Sequence, residues 1–300
     1  MISQSDAGSI TIMDGGMGSE LLKRLDIKGG LWSAQALVDS PAVVGDVHHD
    51  YVKAGARIII TNTYSTIPSY LGKAGIADDY LRYAELAGRI ARQVADESPE
   101  NVMVLGSIPP LDESYRADLV PSSEVAEPIY RNLTRTLASF VDGYLCETMS
   151  SIEESVNAMA AVRQEAGGKP VWIAWTLAED PGKGLRSGEE VSDAVTAVSP
   201  FKPDAYLFNC TSPDAITDAM SQLRQMVDKP IGAYPNRLRI PAGWTLVNEV
   251  ATGHRELSIE DFVHYARRWG ELGASIVGGC CGIGPEYISA LSHELSRELN

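Results

Sequence analysis

The chain has 300 residues, 44% of them hydrophobic, and a formal net charge of −15 at pH 7. That length and apolar fraction supply the core of a barrel-sized domain. The acidic balance argues against nucleic acid, whose binding rests on Lys and Arg neutralising phosphates, and no apolar run reaches the length of a membrane span. The start, Met1-Ile2-Ser3-Gln4-Ser5-Asp6, lacks a basic-then-apolar leader pattern. A cytoplasmic protein with reduced thiols is therefore expected.

In chain order, short apolar runs at 10–13, 57–61, 102–106, 144–146, 171–176, 205–208, 230–233 and 274–277 predict strands. Segments with apolar residues at three- and four-residue steps follow them and predict helices, most clearly at 80–94, 152–165, 213–226, 259–271 and 286–299. Several begin with a capping residue: Ser150 and Ser151 before Ile152, Ser212 before Pro213, Ser258 before Ile259. Eight strand–helix units without a linker predict an α/β chain folded as one (β/α)8 barrel domain over 1–300. A doubly wound open sheet is the alternative.

A barrel of this kind carries its active site at the C-terminal ends of the strands. Those ends read Asp14, Asn62, Glu147, Cys210, Tyr234 with Asn236, and Cys280 with Cys281. Polar or metal-binding residues therefore converge on one mouth.

Three of the four cysteines sit in two short turns, Asn209-Cys210-Thr211 and Gly278-Gly279-Cys280-Cys281-Gly282. Three thiolates and one open position describe a catalytic zinc, because structural zinc normally takes four protein ligands, and thiolates suit zinc better than magnesium, calcium or manganese. Neighbouring cysteines are also compatible with a vicinal disulfide, a redox pair or small core residues. The fourth, Cys146, is read as a packed core thiol, since strand alternation points it away from Glu147. The histidines, His48, His49, His254, His264 and His293, fall mostly in helical patterns and are expected to face solvent.

These residues bring the sequence close to a known family. It resembles the homocysteine S-methyltransferases through Asp14-Gly15-Gly16-Met17-Gly18, Leu31-Trp32-Ser33-Ala34, Thr61-Asn62-Thr63-Tyr64, Cys146-Glu147-Thr148, Leu185-Arg186-Ser187-Gly188-Glu189, Asn209-Cys210, Tyr234-Pro235-Asn236 and Gly278-Gly279-Cys280-Cys281-Gly282-Ile283-Gly284-Pro285. The resemblance covers nearly the whole chain. It implies a zinc-dependent barrel that methylates L-homocysteine to methionine, with Cys210, Cys280 and Cys281 on the metal. Asp14 and Glu147 would then hold the substrate ammonium, and the amides from Gly15 to Met17 its carboxylate.

Competing readings stand beside these. Asp14 and Glu147 also fit a glycosidase acid/base pair or partners for buried arginines. Asn62, Tyr234 and Asn236 either orient ligands or satisfy loop backbone. Trp32 and Tyr64 either form an aromatic wall for a sulfonium or quaternary ammonium or simply pack at the rim. The length fits stand-alone enzymes using S-methylmethionine or S-adenosylmethionine. Gly106-Ser107-Ile108-Pro109-Pro110 departs from the family's glycine-rich stretch, however, so another onium donor stays open, with the 109–121 loop on the donor side. The rival functions are methylation of another small thiol, a zinc hydrolase using metal-activated water and a non-catalytic zinc sensor.

Overall fold

Ile, Val, Leu and aromatic runs on both faces of a strand demand a sheet covered on both sides, which parallel βα units provide. The computed structural model describes residues 10–25, 31–241, 243–245 and 252–298. Along the chain come β1 (Thr11–Ile12), α1 (Met17–Arg24), α2 (Ala34–Asp39), α3 (Pro41–Ala54), β2 (Ile58–Ile60), α4 (Pro68–Gly72) and α5 (Tyr80–Glu97). Next are β3 (Met103–Ile108), α6 (Ser123–Leu137), β4 (Gly143–Met149), α7 (Ile152–Glu165), β5 (Val171–Trp175) and α8 (Val191–Val198). The remainder is β6 (Ala205–Asn209), α9 (Pro213–Met226), β7 (Ile231–Tyr234), β8 (Leu238–Arg239), β9 (Gly253–His254), α10 (Ile259–Glu271), β10 (Ala274–Val277) and α11 (Pro285–Glu298).

Eight of these strands pair in parallel in the order β1-β10-β7-β6-β5-β4-β3-β2. A bridge between Met13 and Ile58 brings the two ends of that series together. The Asp14 amide donates to the Ile58 carbonyl at 2.9 Å, and the Arg57 amide to Ile12 at 2.8 Å. This closure makes a (β/α)8 barrel and removes the open-sheet alternative. The small antiparallel ribbon of β8 and β9 has no counterpart among the predicted strands. Its two-residue strands are largely exposed and carry no apolar alternation to read.

Side-chain alternation divides the core in two. Met13, Leu105, Leu145, Trp172, Leu207 and Ile276 fill the barrel interior, while Tyr144, Cys146, Ile173, Trp175 and Phe208 face the helix layer. Glu147 shares the inward parity of Leu145. Cys146 is fully buried among the helices, as expected. β4 runs on to Met149, three residues past its predicted end, because Met149 re-pairs with Trp175 after a register shift.

Three predicted caps form: Ser151, Ser212 and Ser258 accept the amides of Glu154, Ala215 and Asp261 at 3.2, 3.1 and 3.0 Å. Ser150 instead donates its amide and hydroxyl to Glu154 at 2.6 and 2.8 Å. One histidine corrects the solvent-facing expectation. His48 is fully buried on α3, with neither ring nitrogen paired, because its position falls on the packed stripe of that helix, beside Val44, Val47 and Tyr51. Burial lowers its pKa to about 3. Among the described residues no helix is long and apolar enough to cross a membrane. The N-terminal leader pattern and position 299 of the last predicted helix lie outside the described residues.

Candidate metal and substrate site

The loop after β10 is stitched into the barrel mouth by its own backbone. The amides of Gly278, Gly279 and Cys280 donate to Ala233, Asp14 and Pro235 at 3.0, 2.9 and 2.8 Å. No side chain fits at Gly278, where a Cβ would stand 2.5 Å from Met13 Cβ and 2.8 Å from the Asp14 carbonyl. Gly278→Ala is expected to lower stability by about 1–3 kcal/mol, the usual cost of overpacking, measurable by urea unfolding; an unchanged midpoint would contradict this close approach.

Cys210 follows β6 in a left-handed conformation, φ 50°, with its amide on the Tyr234 carbonyl at 3.1 Å. The sulfurs of Cys210, Cys280 and Cys281 lie within 4.8 Å of one another. Those of Cys210 and Cys280 are joined as a disulfide across a Cα separation of 5.6 Å, while Cys281 is a thiol. The pair within bonding reach is Cys210 with Cys280, not the vicinal Cys280 with Cys281. The convergence that makes three ligands also brings two sulfurs from different strands into bonding reach. In the reduced state the trio is a donor set of the kind that holds zinc. Burial pushes the Cys281 thiol up to about 11, so ionising it at neutral pH calls for a cation.

Beside the sulfurs stand two buried carboxylates. Asp14 accepts the Ile60 amide at 2.8 Å; Glu147 accepts the Ser107 hydroxyl at 2.5 Å and the Tyr234 hydroxyl at 3.1 Å. Burial lifts Asp14 well above the usual carboxylate range, with Glu147 adding like-charge repulsion. It also pushes Glu147 up to about 7. Among the described residues no Lys or Arg forms an ion pair with either group, so the buried-arginine reading falls. Two carboxylates facing each other without a cation make a site that gains from receiving one.

The other predicted residues sort by their partners. Gly16 donates to the Ile283 carbonyl at 2.9 Å, whereas the amides of Gly15 and Met17 have no partner among the described residues. They flank the start of α1, where unpaired amides favour anions. Asn62 donates to the Ser33 carbonyl at 3.1 Å and so braces the turn carrying Trp32. Trp32 has φ 49° and packs against Gly18, where a Cβ would meet its ring nitrogen at 2.6 Å. Tyr64 bonds Ser114 at 2.7 Å and lies on the Tyr115 and Tyr70 side. Tyr234 sits on Glu147. Asn236 is fully buried with both amide atoms unpaired, and its backbone amide reaches Thr211 at 3.3 Å.

Sequence reasoning did not single out Ser107, the hydroxyl that orients Glu147. Its inward parity with Leu105 on β3 was the available signal. Nor did it single out Asn209, whose amide grips the Thr148 amide and hydroxyl at 2.9 and 2.8 Å, holding Thr148 at φ 61°. Trp32, Tyr115 and Cys210, on loops, and Thr148, at the register shift near the end of β4, all have positive φ, and non-glycine strain of this kind gathers at functional sites.

The comparisons with known proteins agree with this geometry. The family model for homocysteine S-methyltransferase matches residues 11–295. Homocysteine S-methyltransferase 3 of Arabidopsis thaliana is 30% identical over 97% of this chain and 91% of its own length. Selenocysteine methyltransferase of Astragalus bisulcatus is 30% identical over 97% and 94%. The metallated homocysteine methyltransferase MmuM from Escherichia coli superposes with a TM-score of 0.80 at 25% identity, covering 96% of this chain and 97% of that one. The chain is a methyltransferase that belongs to the homocysteine S-methyltransferase family.

Proposed function

We propose that the protein moves a methyl group from a small sulfonium or related onium donor to the thiol of L-homocysteine, forming methionine, with zinc on Cys210, Cys280 and Cys281. The observation that carries this reading is the placement of three converging sulfurs at one barrel mouth with two buried carboxylates that lack a cation. Asp14 and Glu147 would receive the substrate ammonium, and the amides of Gly15 and Met17 its carboxylate. Ser107 and Tyr234 hold Glu147 in place through its two oxygens. Bound zinc would supply a deprotonated, fixed substrate sulfur, because coordination removes a thiol proton outright. Asn236, with an unsatisfied amide beside the cysteine loops, would offer that amide to the same ligand. Holding the donor methyl in line with that sulfur accounts for several kcal/mol of the barrier where geometry is good. No general base is needed at a substrate carbon.

A disulfide sulfur is not a thiolate ligand, so zinc uptake should depend on reduction. Protein bearing the Cys210–Cys280 bond is expected to take up about one zinc only after treatment with a reductant, as read by metal analysis after gel filtration. Full loading of the oxidised chain would contradict the ligand set. The requirement fits a reducing, cytoplasmic setting.

The deciding assay presents zinc-loaded protein and L-homocysteine with S-methylmethionine, S-adenosylmethionine, glycine betaine and dimethylsulfoniopropionate, each bearing a distinguishable isotopic methyl. Mass spectrometry should find labelled methionine that vanishes with a chelator, and its label names the donor. The selenocysteine methyltransferase relative favours one second reading, a selenol or another small thiol as acceptor. Methyl transfer to such an acceptor without methionine formation would establish it. Chelator-sensitive ester or amide hydrolysis without any methyl transfer would establish a zinc hydrolase instead.

A further inference from the structure

The roof of the mouth is built from two loops tied at two points. Tyr115, on the loop between β3 and α6, meets Trp244 edge to face at 5.8 Å. Its neighbour Arg116 donates to the Gly243 carbonyl at 3.3 Å. Tyr115 holds a left-handed backbone, φ 67°, a conformation uncommon for a bulky residue and retained where surroundings enforce it.

A part-buried ion-pair chain packs against its ring. Arg186 stacks over the Tyr115 ring at 5.1 Å. It also donates to Glu179 at 2.7 Å and to the Ile240 carbonyl at 3.2 Å. The other oxygen of Glu179 takes Arg255, so a single carboxylate fastens guanidinium groups from two different loops. Side-chain exposures of 10%, 14% and 18% for Arg186, Glu179 and Arg255 remove this chain from most solvent screening. Neighbouring contacts hold the Tyr115 loop as well: Lys73 pairs with Glu113 at 3.0 Å, and Ser69 donates to Leu111 at 2.8 Å. The Tyr115 hydroxyl lies within electrostatic reach of both Cys281 and Arg186, so this aromatic ring neighbours the cysteine site as well as the ion-pair chain.

We propose that Tyr115 and Trp244 form the wall against which the onium head of the methyl donor rests, and that Arg186, locked by Glu179, is the positioning residue that sets Tyr115 in place. The inference rests on the methyl-transfer reading above and names a donor wall separate from Trp32 and Tyr64. An aromatic face attracts a sulfonium or quaternary ammonium through its quadrupole, and more strongly where water is excluded. Arg186 occupies one face of Tyr115, which leaves the other side of the ring, or the Trp244 ring, for the donor. The acceptor carboxylates come from other elements, Asp14 just after β1 and Glu147 on β4, so donor and acceptor binding should separate in mutants.

In the zinc-loaded full chain, Tyr115→Leu is expected to raise the donor KM about 3- to 30-fold, the range of one cation–π contact. The homocysteine KM should stay within about twofold. Arg186→Gln should follow Tyr115→Leu, and Arg186→Lys should recover part of the loss, since a charge on Tyr115 and Glu179 is restored without the planar fork. Equal rises in both KM values, or none in either, would overturn the wall.

A binding measurement separates this inference from the reaction itself. Calorimetry on the full chain without homocysteine compares dimethylsulfoniopropionate with its neutral isostere, 4-methylpentanoate. The wild type should prefer the sulfonium at least about threefold, and Tyr115→Leu should reduce that ratio to about one. Should Tyr115→Leu fail to fold, Trp244→Leu carries the same test. A wild type that binds both equally sinks the wall whatever the assay of methionine shows. A preserved preference with no methionine sinks the methyl-transfer reading alone.

Discussion

Replacing Cys210, Cys280 or Cys281 by alanine is expected to abolish zinc retention and methyl transfer together, with metal affinity falling by more than about a hundredfold. Loss of a mere outer-shell partner already costs 10- to 100-fold, and a ligand removed outright costs more. Cys146→Ala is the matched control. That side chain packs among the helices outside the barrel, one residue from Glu147 but on the opposite face of β4, so zinc content and rate should hold. The disulfide gives an independent readout. The oxidised wild type has two free thiols, Cys146 and Cys281, whereas Cys210→Ala releases Cys280 and should show a third on thiol titration in denaturant. A cysteine variant that keeps full rate without metal would contradict the ligand assignment.

Glu147→Gln is expected to weaken homocysteine binding about 10- to 100-fold while making the apo protein more stable at alkaline pH. The first effect is the loss of a charge-assisted contact to an ammonium. The second follows from burial, which pushes Glu147 from 4.5 up to about 7. Between those values the unfolded chain gives up a proton that the folded chain keeps. The stability tied to this group is therefore fully present below about pH 4.5 and lost as pH rises through about 7. Removing the charge should recover on the order of 2–3 kcal/mol at pH 8, read from urea unfolding at pH 6 and 8. Glu154, also pushed up to about 7 by burial, supplies the comparison. Glu154→Gln should reduce the same pH dependence and leave homocysteine affinity alone. Homocysteine binding to the wild type should weaken below about pH 7, as Glu147 takes up its proton. A Glu147→Gln variant with unchanged homocysteine KM would remove the ammonium assignment.

The barrel was legible because each βα unit carries its own local signal: an apolar run and a periodic helix, with a capping serine at three of the helix starts. Ser151, Ser212 and Ser258 mark helix starts by side-chain chemistry that acts within three residues, so sequence exposes it directly. The mouth was legible for a similar reason, since strand ends in a barrel converge wherever the strands lie. What stayed hidden depends on contacts between distant loops. Nothing local shows that Arg186 stacks on Tyr115, or that Glu179, which holds Arg186, also pairs with Arg255 76 residues further along the chain. The burial of His48 was missed because its helix pattern was not resolved into faces. The Cys210–Cys280 bond required the register of β6 against the loop after β10, a matter of tertiary geometry. Ser107 was readable in principle from strand parity, once the inward face of β3 was assigned through Leu105.

The central claim is that the homocysteine sulfur completes a three-cysteine zinc site. X-ray absorption at the zinc edge, with L-selenohomocysteine replacing homocysteine, tests it directly. The reduced, zinc-loaded protein should show three sulfur neighbours that persist on adding the substrate, joined by one selenium neighbour at bonding distance. Asp14→Asn or Glu147→Gln should require more substrate to reach the same signal. Zinc with three sulfur neighbours and no selenium at saturating substrate would mean that the acceptor binds elsewhere.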